Sequence, residues 1–288
     1  MAMSETVTRV LVAAVGIPIA IGAVFLGGWV MAALLATLSV LAALEFFRLA
    51  ERKPARPFRL LGGAVAAGFV VLAAVVPGAG PGGAAFAELI MLALLGVGVV
   101  AIWDRGVNGE PLFAISTTLT GAIYTGGLLS YGLFLRHLPG IEGPLHGTAV
   151  VFAPILLTWA SDTFAYFVGR AFGTRKLIPK VSPGKTLQGA VGALVGTVLV
   201  GIAYSYLLDG FSSYRIGLFG GAVLGLLVSV AAQLGDLMES LLKRDAGVKD
   251  SGTLLPGHGG ALDRFDSLFF TLPLAYLFFR VVSTGGGS

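Results

Sequence analysis

Nine apolar runs, each roughly 18 to 25 residues long, divide this chain and constrain what it can fold into. At 1.5 Å per residue, a helix of that length crosses about 30 Å of hydrocarbon. In that solvent every backbone N–H and C=O must find its partner within the protein, so such runs predict transmembrane helices. They fall at about residues 8–26, 29–49, 60–77, 84–103, 111–135, 148–170, 187–207, 215–240 and 264–283. The separators are turn-like: Gly27-Gly28, then ERKPARPFR, PGAGPGG, DRGVNGE and RHLPGIEGPLHG. The fifth run is the least regular, because Thr117 to Gly127 is rich in threonine and glycine. The expected fold class is all-α, a polytopic integral membrane protein with about nine transmembrane helices.

Composition supports that class. The chain is 12% charged, against about a quarter for soluble domains. It has no cysteine, which excludes disulfides, thiolate metal sites and a cysteine nucleophile. The first run is about 19 residues long, lacks a small-residue cleavage site and is followed at once by another, so it reads as a retained helix.

Charge sets the orientation. With nine spans and a cytoplasmic N-terminus, sixteen of the nineteen Lys and Arg residues fall on one side, leaving Arg136, Arg215 and Arg280 on the other. The positive-inside rule therefore expects the N-terminus and both long polar loops, 171–186 and 241–263, in the cytoplasm. No basic, aromatic-interleaved surface of the kind that binds nucleic acid is present. Residues 1–147 are Ala, Val, Leu and Gly spans with few internal polar groups, which suits a scaffold or oligomerisation region. Residues 148–284 carry the intramembrane acids and charged loops, which suits a catalytic region. Gly192 with Gly196, and Gly221 with Gly225, have the spacing that lets helices approach closely, although glycine is simply common in this chain. The absence of a convincing internal repeat disfavours an inverted-repeat transporter.

The densest concentration of charge runs from Gln233 to Asp266, with six of the fifteen acidic residues in an otherwise apolar half. Charge near hydrocarbon is expensive and marks function. Asp236 ends a long apolar stretch, either as a boundary carboxylate or as a metal ligand facing the bundle. Asp263 and Asp266, three apart, would share a face at the start of the ninth span, as metal ligands or as partners of the helix dipole. Carboxylates meeting from different helices need a cation between them, and Mg²⁺ takes oxygen ligands that it shares with phosphates. The expectation is Mg²⁺ on Asp236 and Asp263, with Asp266 in support. Asp162 lies about eight residues inside the sixth span and at that depth needs partners.

The run PKVSPGKTLQG resembles a P-loop only in part. Pro179 stands where the first glycine belongs, and no strand is expected before it. Ser182 as N-cap and Pro183 as first helical residue would still aim free N–H groups at an anion, beside Lys185 and Thr186. A basic juxtamembrane loop is the plainer alternative. His258 stands among Gly257, Gly259 and Gly260, as a general base, a phosphate donor or a structural histidine. Lys243, Arg244 and Lys249 fit anion ligands and a solvated edge equally well.

The run SLLKRDAGVKDSGTLLPGHGGALDRFD resembles the signature of the phosphatidate cytidylyltransferase (CDP-diacylglycerol synthase) family. A serine, a KR pair, KDSG, PGHGG, and DR followed by an apolar residue and Asp are all present across 27 residues. SDTFAYFVGR, the SPGKT run and QLGD are also similar to that family. Gly184 and Gln188 depart from it, standing where a second lysine and a glutamate are usual. The resemblance implies transfer of a cytidylyl group from CTP to phosphatidate, giving CDP-diacylglycerol and pyrophosphate. By the same resemblance Asp236 and Asp263 hold the metal centre, with room for a second cation, while Asp162, Asp266 and His258 join the candidate catalytic set on their own positions. Ser182, Lys185 and Thr186 grip phosphates, while Lys243, Arg244 and Lys249 offset charge on pyrophosphate or the lipid head. It further implies a homodimer in the inner membrane, its active site toward the cytoplasm and phosphatidate entering from the inner leaflet. Other CTP-using lipid enzymes, namely a lipid-alcohol kinase or an ether-lipid cytidylyltransferase, and a non-enzymatic transporter are the rival readings.

Overall fold

A computed structural model of the chain describes residues 5–141, 143–211, 215–252 and 259–285. Almost all of it is helix. Helix α1 (Glu5–Leu26) gives way to α2 (Gly28–Ala50) at Gly27 and Gly28, whose φ values are 63° and 49°. Only glycine adopts that region at little cost, so the pair lets one helix stop and the next begin without a loop. Then follow α3 (Arg59–Val75), α4 (Ala84–Asp104) and α5 (Pro111–Ala122). A π-helical turn at Ile123–Gly127 leads to α6 (Tyr131–Arg136). Helix α7 (Gly143–Phe172), strands β1 (Lys176–Ile178) and β2 (Ser182–Thr186), α8 (Leu187–Phe211), α9 (Gly217–Asp245), α10 (Ala261–Phe265) and α11 (Leu268–Gly285) complete the chain.

Seven helical stretches among the described residues are long and apolar enough to cross a membrane: α2, α4, the α5–α6 path, α7, α8, α9 and Ala261–Val282. Helix α3, with 17 residues, and the apolar part of α1, Ala14–Leu26, are shorter. The protein is thus an all-α polytopic membrane protein, and the Thr/Gly-rich fifth run is helical throughout. Its threonines turn inward on the backbone. Thr117, Thr118 and Thr125 donate to the carbonyls of Phe113, Ala114 and Gly121, one turn back. Each hydroxyl is thereby satisfied without water.

Two compact units form, one from Met1–Phe134 with Leu242–Phe265, the other from Leu135–Leu241 with Asp266–Ser288. In the first, α2 and α3 pack on each other and on the π turn, and α10 packs on α2. Phe47, Phe69 and Met31 fill its interior. The loop before α3 is tied down by Phe58 N–H donating to Thr118 Oγ1 at 2.9 Å and by Arg105 stacked over the Phe58 ring at 4.4 Å.

The second unit is built on glycine. A Cβ added to Gly192 of α8 would lie 2.6 Å from the Val168 side chain of α7, and one added to Gly196 would enter the Phe164 ring. Gly225 of α9 meets the Thr197 carbonyl of α8, its would-be Cβ 2.6 Å from that oxygen. The four-residue glycine spacing therefore marks real close approaches. Ser161 with Ser229 at 3.2 Å, and Thr158 with Thr271 at 3.3 Å, add hydroxyl bridges from α7 to α9 and α11.

Two local expectations are corrected. Ser182 and Pro183 do not open a helix: they lie in β2, where Ser182 pairs with Ile178 and Thr186 with Lys176 of β1. Helix α8 starts at Leu187, and its cap is Thr186, whose Oγ1 accepts from Gly189 N–H at 3.1 Å. Hairpin pairing gives residues 182–186 backbone partners that a helical turn there would forgo. Asp263 and Asp266 do not lie in one unbroken helix either. The helix breaks at Asp266 and Ser267, where Asp266 Oδ1 accepts from Ser267 N–H. A short acidic side chain that bonds local backbone competes with the helical ladder in this way.

Candidate functional site

A cavity of about 610 Å³ opens in the second unit between α7, the hairpin, α8 and α9. That volume is within the range of small-molecule sites. Asp162, Tyr166, Gly169 and Arg170 line it from α7, Gly184, Lys185 and Thr186 from β2, Gly189 from α8, and Gln233 and Asp236 from α9. Lys185 Nζ stands 2.6 Å from Asp236 Oδ2, and Ser240 Oγ donates to Oδ1 at 3.3 Å. Asp162, Asp236 and Asp266 lie close enough to feel one another's charge, with Lys185 offsetting Asp162. Gly235 lets α9 lie against the turn that carries Asp266; a Cβ there would come within 2.7 Å of the Asp266 carbonyl oxygen.

The hairpin and helices are fastened at the cavity's edge. Gln188 Oε1 accepts from the N–H groups of Thr174 and Arg175 at 3.2 and 3.3 Å, while its Nε2 donates to Thr174 Oγ1 at 2.6 Å. The residue that departs from the family pattern thus works as a clamp between α8 and the start of the hairpin. Gly184, the other departure, has no atom within 4 Å of an added Cβ.

A second polar cluster belongs to the first unit. Asp263 sits in α10 with both oxygens engaged. Lys243 Nζ donates to Oδ1 at 2.8 Å, while Ser251 N–H, Ser251 Oγ and Gly260 N–H reach Oδ2 at 3.0, 2.8 and 2.8 Å. Gly259 beside it has φ 77°, and its would-be Cβ lies 2.8 Å from Asp263 Oδ2. Arg244 turns back to donate to the Val248 carbonyl at 3.2 Å, and Lys249 is exposed. His258 lies outside the described residues.

The expected residues therefore form two sets, each within its own unit. Asp162, Lys185, Thr186, Asp236 and Asp266 make one, and Lys243 and Asp263 the other. Ser182 is half-buried in β2. Tyr166 and Arg170 were not among the expected residues. They follow Asp162 at four-residue steps, and Arg170 donates to Tyr166 Oη at 2.8 Å, a polar stripe readable from helical periodicity alone.

Metal ligation can be weighed on the same groups. Among the described residues no three carboxylate or imidazole side chains converge as a preformed coordination sphere. Magnesium does not need one, because it is commonly held by one or two carboxylates together with water and substrate phosphates. Asp236 and Asp263 each hold a lysine ammonium against one oxygen. A lysine ammonium neutralises each carboxylate, and carboxylate oxygen is the donor type that Mg²⁺ takes.

Fold and site together define a polytopic helical membrane protein whose helices enclose a cavity with paired acidic and basic groups. The chain matches the cytidylyltransferase family over residues 7–282 and belongs to it. It is 34% identical to a protein of Synechocystis sp. named phosphatidate cytidylyltransferase, across 94% of this chain and 95% of that one. It is 36% identical to phosphatidate cytidylyltransferase 4, chloroplastic, of Arabidopsis thaliana, across 92% of this chain and 71% of that one. A phosphatidate cytidylyltransferase of Haemophilus influenzae is 39% identical across 62% of this chain and 60% of its own length.

Proposed function

We propose that this protein is a phosphatidate cytidylyltransferase, joining the cytidylyl group of CTP to phosphatidate and releasing pyrophosphate. The observation that carries the reading is the charged cavity of α7, β2, α8 and α9, in a chain that matches the cytidylyltransferase family over residues 7–282. The chemistry asks little of a protein base, since the nucleophile is a lipid phosphate already anionic at neutral pH. A phosphate oxygen attacks the α-phosphorus of CTP, the bond to the β-phosphate bridge breaks, and pyrophosphate leaves with that electron pair. The protein must hold two anions in line and neutralise the charge that gathers on the leaving group.

In this reading Lys185 and Arg170 face phosphate within the cavity, and Asp162 and Tyr166 order the groups around them. Thr186, engaged as the α8 cap, fixes the position of Lys185 beside it. Lys243 serves the pyrophosphate or lipid head, with Arg244 and Lys249 supplying positive charge at the same end of the chain. We assign Mg²⁺ to Asp236 and Asp263 on the signature pattern and on the lysine that neutralises each. When bound, the ion lowers the repulsion between the two anions and stabilises the departing charge. Asp266 keeps its supporting role, and His258 stays a candidate by its place in PGHGG.

Topology follows the charge distribution. We assign nine spans, counting α1 and α3, with the N-terminus and the cavity mouth on the cytoplasmic side of the inner membrane, where CTP is found. The N-terminal 147 residues act as scaffold and dimer surface, and 148–284 carry the chemistry.

The test is pyrophosphate release by the purified protein supplied with CTP, phosphatidate and Mg²⁺, beside Asp263→Asn. The expected result is release that requires all three reagents and falls at least about a hundredfold in the variant, as for loss of a cation ligand with a buried charge-assisted network. No release from the native chain, or native activity in the variant, sinks the reading. Release of CDP instead would make the protein a kinase.

Gly184 offers a gain-of-function check. The space around it is open, so Gly184→Lys adds a cation to the cavity wall without a clash. The KM for CTP is expected to fall by about threefold at low ionic strength and to lose that advantage as salt screens the added charge. An unchanged KM would place the CTP phosphates elsewhere.

A further inference from the structure

Glu45 lies in the last two turns of α2, far from the signature in sequence, and its side chain is buried at 2% exposure. Its Oε2 accepts from Leu262 N–H at 2.8 Å and from Ser251 Oγ at 3.2 Å. Those donors lie at Ser251 and at Leu262, the residue just before Asp263. The same Ser251 hydroxyl lies 2.8 Å from Asp263 Oδ2, so the two carboxylates share its one proton. The other oxygen, Oε1, has no hydrogen-bond partner among the described residues. An unpaired buried carboxylate oxygen costs stability, and a fold keeps such a group when it serves something else.

Two glycines of the signature region give independent support. A Cβ added to Gly252 would run into the Glu45 carboxyl: its three nearest atoms are Oε1, Cδ at 2.8 Å and Cγ at 3.2 Å, all of Glu45. A Cβ on Gly260 would meet Glu45 Oε2, with Cδ at 2.6 Å, and Ser251 Oγ. Neither glycine has a φ in the left-handed region, so backbone conformation does not require them. What requires them is the room taken by Glu45.

We propose that Glu45 is a positioning residue for the proposed reaction. Its carboxylate holds the Leu262 N–H and the Ser251 hydroxyl, and through Ser251 fixes the orientation of Asp263. Gly252 and Gly260 are glycine so that each can lie against that carboxylate. Glu45 touches no substrate in this account; it acts through Asp263. The inference rests on the function proposed above for its kinetic consequence and on the contacts alone for its structural one.

The test has two arms on the full chain in detergent. Hydrogen exchange of the peptides covering 246–252 and 259–265 reads the anchor without any turnover. Glu45→Ala should speed exchange there by about tenfold or more, the scale of losing buried hydrogen bonds to a charged group, with the α2–α3 peptides unaltered. Glu45→Gln keeps an acceptor oxygen and should hold exchange within about threefold of native. If Glu45→Ala yields no folded protein, Glu45→Asp replaces it, since one methylene less draws the carboxylate away from Leu262. Kinetically, Glu45→Ala should lower kcat about tenfold or more while the KM for CTP stays within about threefold. Gly252→Ala should be similarly costly in the native background and add little once Glu45 is alanine, because the obstacle is gone. Unchanged exchange in Glu45→Ala, or fully additive losses in the double variant, overturns the proposal. A chain that makes no CDP-diacylglycerol but loosens as described refutes the proposed activity and leaves the anchor standing.

Discussion

Asp236→Asn reduces pyrophosphate release by about a thousandfold or more while leaving the protein folded. Two losses add. Asparagine presents an amide in place of one carboxylate oxygen and cannot neutralise a divalent ion, which removes a stabilisation of several kcal/mol from the transition state. It also dissolves the pair with Lys185, whose Nζ lies 2.6 Å from Asp236 Oδ2, and so frees a lysine that the carboxylate holds at the cavity wall. Charge-assisted hydrogen bonds of that kind are worth about 1.5–3 kcal/mol. The exchange is nearly isosteric and the Asp236 side chain is 33% exposed, so thermal unfolding should change by no more than a few degrees. Titration of Mg²⁺ sharpens the result: the residual activity should no longer saturate in the range that saturates the native chain. Activity within tenfold of native, with the same Mg²⁺ dependence, would remove Asp236 from the site.

How much of this was legible in sequence depends on what each residue interacts with. Asp162 and Asp236 are legible because an ionisable group in a long apolar run has few innocent explanations, and Lys185 and Thr186 because they close the SPGKT run. The structure lines one cavity with all four. Tyr166 and Arg170 obey the same helical spacing as Asp162, but a tyrosine and an arginine near a span's end have ordinary roles there, so the residues alone do not mark them. Ser182 and Pro183 predict a helix start, because Ser-Pro is a strong start signal. That signal is local, and pairing with β1 overrode it, moving the cap to Thr186. The break at Asp266 was hidden for a similar reason: an apolar run shows length, not where a side chain will take a backbone N–H. Glu45 was the hardest to see. Its partners are about 206 and 217 positions away, and no periodicity in α2 distinguishes a buried anchor from a boundary carboxylate.

Gly225→Leu should force α8 and α9 apart and markedly destabilise the folded protein. At Gly225 an added Cβ would sit 2.6 Å from the Thr197 carbonyl oxygen and 2.9 Å from Val198 Cα, which are backbone atoms. A side chain can rotate away from an intruder, but a helix backbone can only be displaced. Ordinary overpacking costs about 1–3 kcal/mol, and a clash with backbone belongs at or above the top of that range. The unfolding midpoint in detergent should therefore fall by about 10 °C or more, by the usual scaling for chains of this size. Gly98→Leu in α4 supplies the control, since no atom lies within 4 Å of its would-be Cβ and the same residue is added to a helix. It should shift the midpoint by no more than about 2 °C. The pair separates close packing from the mere loss of a glycine. Lipid tails are as apolar as leucine and give helices no hydrophobic reason to associate. What holds α8 to α9 is the short distance that glycine permits, and through it the cavity wall that carries Asp236. A Gly225→Leu protein that unfolds like the Gly98→Leu control would show that the contact at Thr197 is not what fixes that wall.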